Sequence, residues 1–186
     1  MWTNRRGTCG VVPVTIFTFS KKGDGGETSL LSGERVSKGS LRPETYGTLD
    51  EAGAALGLAK ALCTHRRIRE MIETVQSDLL VLGAELACES EARKEWLLER
   101  ERIVRLESWI EELQQEVPLP RKFVLAGENP VSAALDLART IVRRAERRAA
   151  ALKEEGFRVR AEASSYLNRL ADFLFTLARY AAEKAK

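Results

Sequence analysis

The chain has one histidine and three cysteines in 186 residues. A lone histidine, His65, argues against a histidine-based metal site or catalytic triad. It sits in Thr64-His65-Arg66-Arg67, between two helical patterns, and reads as a solvated helix-end residue. Cys9, Cys63 and Cys88 are odd in number, and their spacing fits no metal or redox motif, so they read as buried or free thiols in a reducing compartment. No apolar run approaches the roughly 18 residues that span a bilayer. The net charge is only +3, because basic residues are offset by acidic neighbours, so nothing points to a nucleic-acid partner. Cytoplasmic residence follows as an expectation. No acidic residue occurs in Met1 to Val14, and residues 1–15 read as a disordered leader.

What remains is a mixture of 44% hydrophobic and 31% charged residues, enough to bury the core of one domain over residues 16–186. Residues 15–45 read as loop, since Gly23, Gly25, Gly26 and Gly33 break any helix and Pro43 adds a stop. From about Thr48 apolar residues recur at threes and fours. Leu49, Ala52, Leu56, Ala59 and Leu62 define a first helix, in which Gly53 and Gly57 would permit close packing. Ile68, Ile72, Val75, Leu79, Leu82 and Leu86 define a second, and Ile103, Leu106, Ile110, Leu113 and Val117 a third that stops at Pro118 and Pro120. Residues 89–96 either turn between these two or continue as helix. Pro130 fits the first turn of a fourth helix ended by Gly156, and a fifth runs from about Ala161 to Ala182. Five helices, short connections and no convincing strand predict an all-α, up-and-down bundle.

Three segments carry possible chemistry. On the fourth helix Arg139, Arg143 and Arg147 are four apart and share one stripe, with Asp136 and Glu146 on the same side, while Arg144 and Arg148 point away to solvent. Such a stripe is either a solvated face stitched by Arg–Glu pairs or an anion site, in which guanidinium forks meet phosphate oxygens and Glu146 steadies one of them. On the fifth helix Asn168, Asp172, Phe175 and Arg179 align. Asn168 is either a satisfied polar residue between helices or an amide facing a ligand or metal. The glycine-rich run Ser20-Lys21-Lys22-Gly23-Asp24-Gly25-Gly26-Glu27-Thr28-Ser29 would let backbone N–H groups approach phosphate, or be only a linker. It lacks Walker A spacing.

Together these segments resemble the PduO-type ATP:cob(I)alamin adenosyltransferases over about residues 16–180. Ser20 to Asp24 with Thr28-Ser29-Leu30-Leu31 is similar to the family's TKTGDxGxTSLL. Arg35-Val36-Ser37-Lys38, Tyr46-Gly47-Thr48-Leu49-Asp50-Glu51 and Leu82-Gly83-Ala84-Glu85-Leu86-Ala87 continue the likeness. The most specific matches are Ala138-Arg139-Thr140, Arg143-Arg144-Ala145-Glu146-Arg147-Arg148 and Tyr166-Leu167-Asn168-Arg169-Leu170-Ala171-Asp172.

The resemblance implies a ferritin-like five-helix bundle that assembles as a homotrimer with active sites between subunits. There the cobalt of a reduced corrinoid would attack C5′ of ATP, giving adenosylcobalamin and triphosphate. By matched position the loop at 16–45 would bind ATP, with Ser20, Lys21, Gly23, Thr28 and Lys38 serving the triphosphate. Arg143 and Glu146 would hold ATP, and Asn168 would ligate Mg2+. Asp50 and Arg139 would pair across the interface, and Phe123 would keep the corrinoid's lower ligand away from cobalt. A corrinoid reductase and an adenosylcobalamin-dependent enzyme are the implied protein partners. Three departures stand out. Lys22 replaces a threonine, Gly53 stands where asparagine is usual, and Ala126-Gly127-Glu128 replaces a proline-glycine-glycine loop, bearing on the corrinoid more than on ATP. The alternatives are a weakly catalytic delivery protein for adenosylcobalamin and a purely structural helical oligomer.

Overall fold

In a computed structural model, residues 21–88 and 94–185 are described. The expectations for the leader 1–15, for Cys9, for Ser20 and for most of the 89–96 connection lie outside them.

Five helices form the body: α1 (Leu41–Leu62), α2 (Arg66–Ala87), α3 (Arg100–Glu116), α4 (Pro130–Glu154) and α5 (Ala161–Lys184). Their contacts run α2–α1–α4–α5–α3. The apolar periodicity accounts for this packing. Leu56, Ile72, Leu82, Leu135, Val142, Leu170 and Leu174 are all fully buried in one continuous core. Each such side chain contributes about 1.5–3 kcal/mol relative to exposure. Arg144 reaches Glu51 while Arg148, one turn on, reaches Glu44 and Thr48, so α4 runs antiparallel to α1. No helix among the described residues is long and apolar enough to cross a membrane.

The N-terminal segment differs from the expected loop in two ways. First, α1 begins at Leu41, seven residues before the apolar repeat becomes visible. Pro43 does not stop it. It lies in the first turn, where its missing N–H has no intrahelical partner to lose. Second, Glu27–Ser29 and Arg35–Ser37 form strands β1 and β2, an antiparallel hairpin with Thr28 opposite Val36. Three-residue strands are too short to show alternation, so the sequence pattern missed them.

Polar ties fix the helix ends. Buried Arg42 donates to the carbonyls of Leu86 (3.2 Å) and Cys88 (2.5 Å), satisfying the last turn of α2. Asn129 caps α4 in a reciprocal box with Ser132, and its Nδ2 also donates to Ala181 O of α5 at 2.9 Å. Gly156 follows α4 with φ of +87°, the left-handed conformation that favours glycine. Buried Asp78 of α2 accepts from Arg102 and Arg105 of α3 and from the Tyr166 hydroxyl of α5, joining three helices at one carboxylate. Burial and that neighbouring charge hold the Tyr166 hydroxyl well above its ordinary pKa.

His65 is at a helix end, as expected, but it is not freely solvated: its ring meets Tyr180 edge to face at 6.0 Å. Gly57 does allow close packing, since a Cβ there would lie 3.4 Å from Gln76 Nε2. At Gly53 the contact is through backbone, its carbonyl accepting from the same Gln76 amide at 2.9 Å.

Candidate functional site

The residues singled out in sequence fall into two groups on different parts of the chain. The first is built around the hairpin. Lys21–Gly23 make a 3-10 turn that leads into β1, and Lys38 follows β2, its N–H bonded to Gly26 O at 2.8 Å. This return brings the Lys38 ammonium over Gly23, where an added Cβ would sit 3.0 Å from Nζ. A methyl group at 23 would meet the flexible end of Lys38, which would have to shift. Arg35 knits the turn together, donating to Lys22 O (2.8 Å), Glu27 Oε2 (3.2 Å) and Ser29 Oγ (3.4 Å). The result is an exposed surface carrying the Lys21 and Lys38 ammonium groups, neither held by an ion pair among the described residues.

Beneath the hairpin is a cleft of 640 Å3 lined by Thr28, Leu30, Leu31, Tyr46, Asp50 and Leu80, with other α1 and α2 residues. Its walls are mostly apolar. Thr28 bonds the Tyr46 hydroxyl, which burial nevertheless pushes above its ordinary pKa. Asp50 is exposed at the cleft wall.

The second group lies on α4 and α5. Asn168 Nδ2 donates to Glu146 Oε1 at 3.1 Å, so the two helices present an amide oxygen and a carboxylate side by side. This corrects one expectation: Glu146 steadies the asparagine, not a guanidinium. Arg143 is one turn from Glu146 and exposed, and its guanidinium has no ion pair among the described residues. Arg147 is exposed too and donates to Arg143 O at 3.0 Å. Further along, the Phe175 ring lies between the guanidiniums of Arg139 (5.9 Å) and Arg179 (5.5 Å). Arg139 Nε is buried without a partner. Arg179 is buried against Asp136, with Glu128 beside it at 3.6 Å. Asp136 thus belongs to a buried pair, and Asp172 is taken by Arg169 at 2.8 Å.

The neighbouring arginines were misplaced by helical projection. Arg144 and Arg148 do not face solvent but bind α1 through Glu51, Glu44 and Thr48. Their partners lie across on α1, which a single-helix projection does not register.

Phe123 and Leu125 are exposed on the α3–α4 loop, with Phe123 at 106% exposure. Next to the loop is a smaller recess of 350 Å3 whose lining includes Gly127, Asp136, Arg139 and Thr140.

The two groups do not meet. No hydrogen bond or ion pair among the described residues joins Lys21, Gly23, Thr28 or Lys38 to Arg139, Arg143, Glu146 or Asn168, and no residue of α4 or α5 lines the hairpin cleft. Asp50 makes no ion pair with Arg139. Sequence reasoning missed Arg35 and Tyr46 as builders of the loop and gave no role to the Arg179 pairing. Only their place inside matched motifs marked the first two.

A sequence model of the family described as cobalamin adenosyltransferase matches residues 18–181. A PduO corrinoid adenosyltransferase of Citrobacter freundii is 42% identical over 163 residues, which are 87% of this chain and 48% of that protein. The chain thus spans about half the length of that relative. A second corrinoid adenosyltransferase of Citrobacter freundii is 39% identical over 164 residues, 87% of this chain and 92% of its own. Among solved structures, a phenylalanine-to-histidine variant of a PduO-type ATP:corrinoid adenosyltransferase from Lactobacillus reuteri, complexed with cobalamin and ATP, superposes with a TM-score of 0.82. It is 31% identical, with 89% of this chain and 90% of that one covered.

Proposed function

The chain belongs to the cobalamin adenosyltransferase family, and from that premise we propose that it transfers the 5′-deoxyadenosyl group of ATP to the cobalt of reduced cob(I)alamin. In this reaction the electron pair on cobalt forms the new bond to C5′, the C5′–oxygen bond breaks, and triphosphate leaves with that bond's electrons. Both the nucleophile and the electrophilic carbon come from the substrates. The protein's share is to hold them in line and to stabilise the leaving triphosphate. No protein nucleophile is required, and among the described residues the cleft beneath the hairpin is lined by no cysteine or histidine.

The observation that carries the reading is the separation of the two groups. Each would be half a phosphate site, and among the described residues one chain does not close them on one another. A homotrimer in which the hairpin of one subunit covers the α4–α5 face of the next supplies the missing contact. Lys21, Gly23, Thr28 and Lys38, with the adjoining Ser20, then line one side of the triphosphate, and Arg143 and Glu146 the other. Asp50 reaches Arg139 of the neighbouring subunit, giving that half-buried guanidinium a counter-charge.

Mg2+ fits the donors present. Glu146 turns the Asn168 amide nitrogen toward itself, which leaves the amide oxygen outward. Among the described residues no group of three or more His, Cys, Asp or Glu side chains could enclose a metal ion by itself. A single amide oxygen, completed by phosphate oxygens and water, suits a magnesium ion that stays bound to its nucleotide. When bound, the ion neutralises phosphate charge. Phe123 would serve on the corrinoid side, where its exposed apolar ring would favour a cobalt without its lower ligand.

The test is anaerobic mixing of the protein with ATP, magnesium and chemically reduced cobalamin, followed spectroscopically. Formation of adenosylcobalamin with release of triphosphate is expected. Binding of ATP and adenosylcobalamin without turnover would replace this reading with the delivery protein. The subunit arrangement has its own test: co-expressed Lys38→Ala and Arg143→Ala chains, each inactive alone, should regain about a quarter of the sites in mixed trimers. No recovery would place both halves in one chain.

A further inference from the structure

Gln76 is a half-buried polar side chain on the seam between α1 and α2, next to the buried Val75. Its amide is held in one orientation. Nε2 donates to the Gly53 carbonyl at 2.9 Å, and turning the amide over would set two oxygens against each other there. Gly57, one turn further along α1, leaves room for the amide, since a Cβ at 57 would lie 3.4 Å from Nε2. The other end of the amide is Oε1. It accepts no hydrogen bond among the described residues, and it is not sealed away from solvent.

Gln76 lines the cleft of 640 Å3 beneath the hairpin. The other polar side chains lining that cleft are Thr28, Ser29, Tyr46 and Asp50. Ser29 Oγ accepts from Arg35 at 3.4 Å, Thr28 bonds the Tyr46 hydroxyl, and Asp50 is exposed at the wall. The remaining surface is mostly apolar, and the volume is ample for a nucleoside. The roof is the same hairpin that carries Lys21 and Lys38. A nucleotide with its phosphates at those ammonium groups has its base within reach of the cleft. An apolar slot with one fixed acceptor suits a planar base that carries an exocyclic amino group.

We propose that Gln76 is the residue that selects adenine: its Oε1, fixed by the Gly53 carbonyl, accepts from the 6-amino group of ATP's base in the cleft beneath the hairpin. The proposal rests on the reading of the hairpin as the phosphate site for ATP. Guanine carries a carbonyl oxygen where adenine carries the amino group, and two acceptors then face each other. The amide cannot present its nitrogen to that oxygen without giving up its bond to Gly53. A site built to accept from an amino group rejects a base that lacks one, because the acceptor is then left unpaired.

The test measures binding by calorimetry to the full chain, with magnesium and no corrinoid, for three nucleotides: ATP, GTP and purine riboside triphosphate, which has only hydrogen at the 6-position. The parent should bind ATP roughly tenfold more tightly than either of the others. Gln76→Met keeps the length of the side chain and its packing but has no amide. In that variant ATP should weaken to the level of purine riboside triphosphate, whose own affinity should stay within about twofold of the parent value. That unchanged affinity also reports an intact cleft, and Gln76→Leu serves in place of Gln76→Met should the latter fail to fold. In the transfer reaction the loss should appear as a higher KM for ATP with kcat retained. An ATP preference that survives in Gln76→Met, or an equal loss for all three nucleotides, overturns the proposal. A parent that binds all three alike removes base selection from the cleft and leaves the transfer reaction standing. A parent that binds none of them takes down the reading of the hairpin as well.

Discussion

The hairpin group and the α4–α5 group offer the same kind of surface, exposed cations for an anion, but they are built on opposite principles. The hairpin group is held by main-chain bonds, by one arginine threaded through Lys22, Glu27 and Ser29, and by a glycine that admits Lys38. Its strands are three residues long. The helical group stands on two elements of 25 and 24 residues, with Asn168 and Glu146 bonded to each other before any ligand arrives. One half can adjust and the other is fixed in advance. On the proposed reading, rigid helices suit the groups that would meet developing charge accurately, and a small hairpin suits a cover that would admit the nucleotide.

The contrast can be broken in a graded series. Arg143→Ala removes the exposed, unpaired guanidinium of the fixed half, and kcat/KM should fall by roughly 10²–10³-fold. Its Tm should match the parent, since no ion pair is lost, and near-normal turnover would take the arginine stripe out of the mechanism. Asn168→Ala leaves Glu146 without its amide partner and removes the oxygen proposed to bind magnesium. About a tenfold rise in KM for magnesium-ATP is expected, close to 1.4 kcal/mol, and titrating magnesium should narrow the gap to the parent. In the adjustable half, Gly23→Ala forces the Lys38 ammonium aside by a few tenths of an ångström. Because a lysine stem can shift, KM for ATP should rise only about two- to fourfold with kcat retained. A large loss of kcat would show that the hairpin is as exacting as the helices. The smallest effect belongs to the arginines that face α1. A double-mutant cycle on Arg144 and Glu51 should give a coupling of about 0.2–1 kcal/mol in unfolding free energy and none in KM for ATP. Coupling in KM instead would mean that both faces of α4 serve the nucleotide.

How much of this could be read in advance follows from the range over which each signal acts. The helices were legible because Leu56, Ile72, Leu135 and Leu170 repeat on one side at helical spacing. The repeat is imposed by a core that the structure shows as continuous. The start of α1 was not, because Leu41 to Gly47 follow the needs of helix termini and of Arg42, not of an apolar face. Asn168 could be suspected from sequence, as a poor helix former among core residues, but its partner Glu146 sits 22 positions away and was assigned elsewhere. Arg144 and Arg148 were misjudged for the same reason, since their partners lie about 93 to 104 positions off on another helix. Distances along one helix are written in the sequence, while pairings between helices emerge only once the chain has folded.

Phe123 stands with its whole ring in water. An aromatic ring in that position keeps an ordered hydration shell that only an apolar surface can release. Its capture beneath a corrinoid should therefore register in calorimetry as a negative heat-capacity change on the order of 0.1 kcal/mol per kelvin. Affinity for the corrinoid would then depend on temperature in a way that affinity for the nucleotide, gripped by charge, would not.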